Sequence, residues 1–157
     1  MDVMDEALLD FWRKLNECHV QFIMVGGLAT RFHGYNRTTD DLDMWIEDSP
    51  ENRRNLRKAF AALNYGDFSS IETMQFVPGW TSFHAAGIVL DIMTTMKGLE
   101  ETSFNDCYQM AEVANIEDVQ VRFLHINHLI QNKKAVNRSK DQIDVEYLEK
   151  IKNLLDK

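Results

Sequence analysis

Phe22 to Trp45 reads FIMVGGLATRFHGYNRTTDDLDMW. The apolar run from Gln21 to Val25 ends at Gly26-Gly27, which predicts a buried strand followed by a turn. Leu28 to His33 then reads as a short helix whose first N–H groups open at the glycines. Gly34-Tyr35-Asn36 breaks that helix, and Arg37-Thr38-Thr39-Asp40 is a polar loop into a second strand, Asp41 to Ile46. Side chains two apart on a strand share a face, so Asp41 and Asp43 project together. Their mutual repulsion is most simply offset by a divalent cation. The glycine pair offers bare backbone that a phosphate can approach closely. A metal beside a phosphate cradle is the skeleton of a phosphoryl- or nucleotidyl-transfer site.

Composition narrows the setting of that stretch. A chain of 157 residues has the length of one domain with a core of its own, so a single domain over 1–157 is expected. The net charge of -8 argues against broad binding to extended nucleic acid. Cys18 and Cys107 are too few for a disulfide framework or a zinc site and read as buried small residues in a reducing compartment. The opening MDVMDEALLDFW is acidic and amphipathic, unlike a signal peptide, and no apolar run approaches the ~20 residues of a membrane span. A cytoplasmic protein is expected.

Outside the central stretch, helical spacing of Met4, Leu8, Phe11, Trp12 and Leu15 predicts a helix from Val3 to His19. Ser49-Pro50-Glu51 is a helix start, with Leu56, Ala59, Phe60 and Leu63 on one face and Gly66 as the stop. Glu72 to Val77 and Thr81 to Ala86 read as strands, or as a strand with a helical lead-in, around a turn at Pro78-Gly79. Ile88 to Met93 is a strand, apolar on both faces except for Asp91. Ser103 to Val113 reads as a helix, Val119 to Leu124 as an edge strand, and Ile126–Val136 and Arg138–Leu155 as two more helices. The sum is an α+β fold, a mixed and mostly antiparallel sheet flanked by helices.

An ionised carboxylate in a strand like that of Asp91 is expensive without a partner. Two neighbouring strands that brought Asp41, Asp43 and Asp91 to one point would explain all three. The plainer alternative is a solvated face for the first two and an arginine partner for Asp91.

Gly26-Gly27-Leu28-Ala29, the run Arg37-x-Thr39-x-Asp41-Leu42-Asp43 and the later Leu90-Asp91 resemble the signature of the nucleotidyltransferase superfamily, with its polymerase-beta-like fold. The pattern is similar to small bacterial members of the abortive-infection AbiEii type. Lys134 to Asp144 resembles their C-terminal K-x(3)-R-x-K-D-x(2)-D helix entry. The resemblance implies transfer of a nucleotidyl group from an NTP to an acceptor, with release of pyrophosphate. It implies Mg²⁺ or Mn²⁺ held by Asp41, Asp43 and Asp91, with Asp91 completing a second metal site or acting as general base. Gly26, Gly27, Arg37, Thr39, Lys134 and Lys140 are then the candidates for the phosphates, against a surface ion pair as the alternative for each cation. Asp141 and Asp144 are expected to anchor the last helix to the site loop. The acceptor stays unknown, and a homo-oligomer or a partner protein completing the cleft is a further implication.

Other features carry less. His125-x-x-His128 has chelating spacing but no third ligand nearby. His33 and His84 read as packing or hydrogen-bonding residues. Trp45 is expected in the core on the strand face opposite the acids, and Trp80, beside Pro78-Gly79, as an exposed ring able to stack. Two further readings compete with the enzyme: a weakly active or inactive antitoxin-like relative of the same fold, and a plain acidic interaction domain. The third leaves Asp91 unexplained.

Overall fold

The computed structural model describes residues 5–156. Six strands form one sheet: β1 (Phe22–Val25), β2 (Asp41–Ile46), β3 (Ser82–Ala85), β4 (Ile88–Met93), β5 (Glu112–Ile116) and β6 (Val119–Phe123), in the order β3-β4-β2-β1-β6-β5. The pairs β1–β2, β3–β4 and β5–β6 are antiparallel, while β2–β4 and β1–β6 are parallel. This is the mixed, mostly antiparallel sheet expected. The helices are α1 (Glu6–Glu17), α2 (Gly26–Phe32), α3 (Pro50–Ala62), α4 (Phe104–Met110), α5 (Ile126–Val136) and α6 (Ser139–Leu155).

Local sequence explains most helix starts. Asp5 caps α1 by accepting from the N–H groups of Ala7 and Leu8, and Ser49 and Ser103 cap α3 and α4 in the same manner. Leu8, Phe11, Trp12 and Leu15 of α1 are buried, while Met4 and Val3 lie outside the described residues. Asn52 of α3 is buried because its side chain is saturated: Nδ2 donates to the carbonyls of Gln21 and Glu47, and Oδ1 accepts from Gln21 N–H. That one amide ties the start of β1 to the end of β2. Helices cover both faces of the sheet. Phe60 of α3 meets Phe83 of β3 edge-on at 5.2 Å, and Phe104 of α4 meets Trp45 of β2 at 5.2 Å from the opposite side.

Several expectations are corrected. The predicted helix Ser103–Val113 stops at Met110, because Ala111 turns extended (ψ 146°) and the chain enters β5. β5 covers the outer side of β6, so Val119–Phe123 is an interior strand rather than an edge. No strand forms over 72–77. A 3-10 turn (Ser69–Glu72) precedes it, and Arg53 Nη1 donates to the carbonyls of Ile71 and Met74, holding this segment to α3. Helix α2 starts at Gly26 itself, so the glycines form its first turn instead of a loop before it. Trp45 is buried, but two positions beyond Asp43 on an unbroken strand it shares the acids' face. It stays dry there because Phe104 covers it and its indole N–H donates to Thr94 O at 3.1 Å. Cys107 is buried, whereas Cys18 is only half-buried.

Candidate functional site

Val25, Asp43 and Asp91 stand in one row across β1, β2 and β4. Register partners share a face, so the parallel pairing of β2 with β4 sets Asp91 beside Asp43, and alternation adds Asp41 at the exposed end. The three acids named from sequence therefore meet on one side of the sheet. Gly26 follows Val25 directly, with φ +65°, and a Cβ there would lie 2.1 Å from Asp43 Oδ2. The glycine thus does two jobs: it takes a left-handed conformation, and it lets the backbone lie against the carboxylate. A Cβ on Gly27 would meet Thr39 Oγ1 at 2.7 Å and Arg37 Nη2 at 2.9 Å, so the loop carrying Arg37 closes on α2 in the same way. Thr39 donates its hydroxyl to Asp41 O at 3.2 Å, bracing the start of β2.

The electrostatics of the row are unfavourable as it stands. Burial, then the charges of Asp91 and Asp41, push the Asp43 carboxyl up to about 6, against a smaller opposing pull from Lys133 and Lys140. Asp91 is also raised, by burial first and Asp41 after it, with the Gly79 N–H opposing. That N–H donates to Asp91 Oδ2 at 2.8 Å, and Asp91 Oδ1 is buried without any hydrogen-bond partner. Among the described residues no group of three acidic, histidine or cysteine side chains is already drawn together as a metal cage. The donor set is nonetheless hard carboxylate oxygen, with one orphaned atom and a strained protonation balance. That chemistry fits Mg²⁺ or Mn²⁺, which take such oxygens and complete their shells with water and phosphate.

Facing the acids is a cationic wall from the end of α5 and the start of α6. Lys133 is buried, its Nζ 2.8 Å from Asp144 Oδ2 and 3.8 Å from Asp141 Oδ1. Arg37 Nε lies 3.1 Å from Asp144 Oδ1, a charge pair whose N–H is not aimed for a hydrogen bond. Arg138 reaches Asp141 through Nε at 2.7 Å, through Nη2 at 3.2 Å and through its backbone N–H at 3.1 Å. Burial pushes the Asp141 carboxyl up, but the Arg138 contacts outweigh it and hold the group below its usual range. Asp144 links α6 to the loop of Arg37, as expected of an anchor.

Gly26, Gly27, Arg37, Thr39, Asp41, Asp43, Asp91 and Lys140 line one cleft of about 660 Å³. Lys134 is not brought there: its ammonium pairs with Glu149 at 2.7 Å on the surface. The neighbouring Lys133 lines the cleft instead, and sequence reasoning passed over it. Its signal was available, since Ile126, Leu129, Ile130 and Lys133 form one buried helical stripe with a lone cation in it. His125 and His128 stack edge-on with centroids 6.2 Å apart and hold no third ligand among the described residues. His33 Nε2 meets Leu124 O at 2.7 Å, a structural contact, and His84 is exposed on β3.

No protein-family model matches the chain, and no curated protein matches its sequence. Solved structures do. A Thermotoga maritima protein assigned as a nucleotidyltransferase superposes with TM-score 0.55 at 16% identity, covering 93% of this chain and 88% of its own. An antigenic nucleotidyltransferase-like protein from Paracoccidioides brasiliensis gives 0.55 at 17%, over 94% and 73%. The antibiotic-resistance factor ANT(2'')-Ia, in complex with adenylyl-2''-tobramycin, gives 0.54 at 16%, over 92% and 90%. The fold is thus nucleotidyltransferase-like. Among the described residues no helix is long and apolar enough to cross a membrane.

Proposed function

We propose that the cleft binds a nucleoside triphosphate and moves its nucleotidyl group to an acceptor, releasing pyrophosphate. The observation that carries this is the opposition of two walls: an acid row short of positive charge, and a wall where Arg37, Lys133, Arg138 and Lys140 outnumber the carboxylates of Asp141 and Asp144. A triphosphate with its divalent cation satisfies both. Mg²⁺ or Mn²⁺ held by Asp41, Asp43 and Asp91 supplies charge neutralisation for the triphosphate when bound. The N–H groups of Gly26 and Gly27, in the first turn of α2 on the cleft, would contact phosphate oxygens, with Arg37, Lys133 and Lys140 toward the leaving pyrophosphate. Gly79 N–H orients Asp91 through Oδ2, and that carboxylate would ligate a cation or take the proton of an acceptor hydroxyl. The adenylylated small molecule in the ANT(2'')-Ia complex supports a hydroxyl acceptor of modest size.

A second reading keeps the fold and the pocket but little catalysis, as in an antitoxin-like component of the abortive-infection type. The observation that favours it is Asp91, one oxygen of which is closed to solvent while the other is held by Gly79 N–H. Radiolabelled NTPs with Mg²⁺ or Mn²⁺ separate the two, using Asp41→Ala and Asp43→Ala as controls. Labelled product from a hydroxyl acceptor supports transfer, and metal-dependent binding without product supports the second reading. Absence of any metal-dependent nucleotide binding by the wild type sinks both.

A further inference from the structure

The cleft changes character past Asp91. From β4 the chain continues through Met93, Thr95, Met96 and Lys97, which line the cleft together with Asn132 and Val136 of α5. Met93 and Met96 are buried at 6% and 5% exposure, so they form a floor, and Thr95 stands exposed above it. This end is built firmly. Asn132 Nδ2 donates to Lys97 O at 2.8 Å and Gln131 Nε2 donates to Gly98 O at 2.6 Å. Gly98, at φ +87°, packs so close to α5 that a Cβ would sit 2.7 Å from Ala135 Cβ. Lys133 turns its ammonium to Asp144 of α6, and the neighbouring Asn132 ties α5 to the loop.

We propose that Met93, Thr95, Met96, Asn132 and Val136 form the subsite for the planar base of the bound nucleotide, an inference that rests on the nucleotide-binding reading above. A base is an uncharged ring with two apolar faces, and thioethers conform to such rings at low cost. The charged ends of Arg37, Lys133 and Arg138 are turned to Asp144 and Asp141, so the five subsite side chains form an uncharged lining with Lys97 beside it. Met93 follows Asp91 by two residues on one strand face, about 7 Å away, which is within a nucleoside's reach of the acid row. The acceptor has the other approach, the open edge where Pro78 and Gly79 flank Asp91 and Trp80 is 85% exposed.

Calorimetric titration of the whole chain with Mg-ATP and with Mg-tripolyphosphate tests this, on the wild type and on Val136→Gln and Thr95→Gln. Both substitutions are neutral, so the field at the phosphate end stays as it was, and Thr95 is exposed, so folding is not at stake. The expected result is an ATP affinity about tenfold weaker in each variant, as a longer polar side chain obstructs the ring, with tripolyphosphate affinity unchanged. Variants that bind ATP like the wild type, or lose both ligands equally, overturn the subsite. So does a wild type that binds ATP no tighter than tripolyphosphate, and each of these leaves the nucleotide reading standing. A wild type that binds neither ligand takes down both.

Discussion

Two pairs of aspartates lie in and behind the walls of the cleft, and their neighbours give them opposite properties. Asp141 and Asp144 are almost fully buried, yet Arg37, Lys133 and Arg138 surround them, and the Asp141 carboxyl is held below its usual range. Asp43 and Asp91 are less buried, have each other and Asp41 as neighbours, and are both raised. The difference lies in which charges the fold supplies. The first pair is complete within the chain and serves as structure. The second is left with like charges for neighbours, an imbalance that the proposed divalent cation would relieve.

The contrast can be broken most severely at Lys133. Lys133→Met leaves Asp144 buried with only a misaligned arginine, and should cost about 3–5 kcal/mol in urea unfolding. A loss under about 1 kcal/mol would mean that the wall is not held by this ion pair.

The reverse change is expected at the acid row. Asp43 has a folded pKa of about 6 against an ordinary 3.8, so its favourable contribution exists below pH 3.8 and is lost as pH rises through 6. Asp43→Asn, measured in EDTA at pH 7, should therefore stabilise the protein by about 2 kcal/mol while abolishing metal-dependent nucleotide binding. The gain should fade towards pH 4. A destabilised variant at pH 7 would show that the row is balanced as it stands.

Gly26→Ala places a methyl group against Asp43 Oδ2 and forces a left-handed alanine, for a loss of about 1–2 kcal/mol and weakened nucleotide binding. A melting temperature equal to wild type would show that the close approach is dispensable. Lys134→Ala, at the surface pair with Glu149, should change stability by less than about 0.5 kcal/mol and leave ATP titrations untouched. Weakened ATP binding there would return Lys134 to the site.

Much of this was legible along the chain. Ser49-Pro50 and Ser103 announce α3 and α4 because a cap is a local hydrogen bond between neighbours in sequence. The gathering of Asp41 with Asp43 follows from strand alternation alone. The strand β5 was hidden because Glu112–Ile116 is largely exposed and lacks an apolar stripe, so only pairing with β6 makes it a strand. Lys133 was passed over for Lys134 because choosing between adjacent lysines requires the rotation of α5 against α6. The face of Trp45 was misjudged because burial was equated with the opposite side of the strand, whereas α4 buries part of the acids' own side.

By itself the sequence determined the glycine pair that ends a strand, the paired carboxylates and the lone acid in an apolar run, since each depends on covalent order and local geometry. The tertiary structure alone decided that Asp91 stands in register with Asp43, that Lys133 faces the cleft, and that one pair of aspartates is satisfied while the other is not. Charge balance at a buried carboxylate is set by what lies within a few ångströms of it, and here those neighbours come from segments distant in the chain.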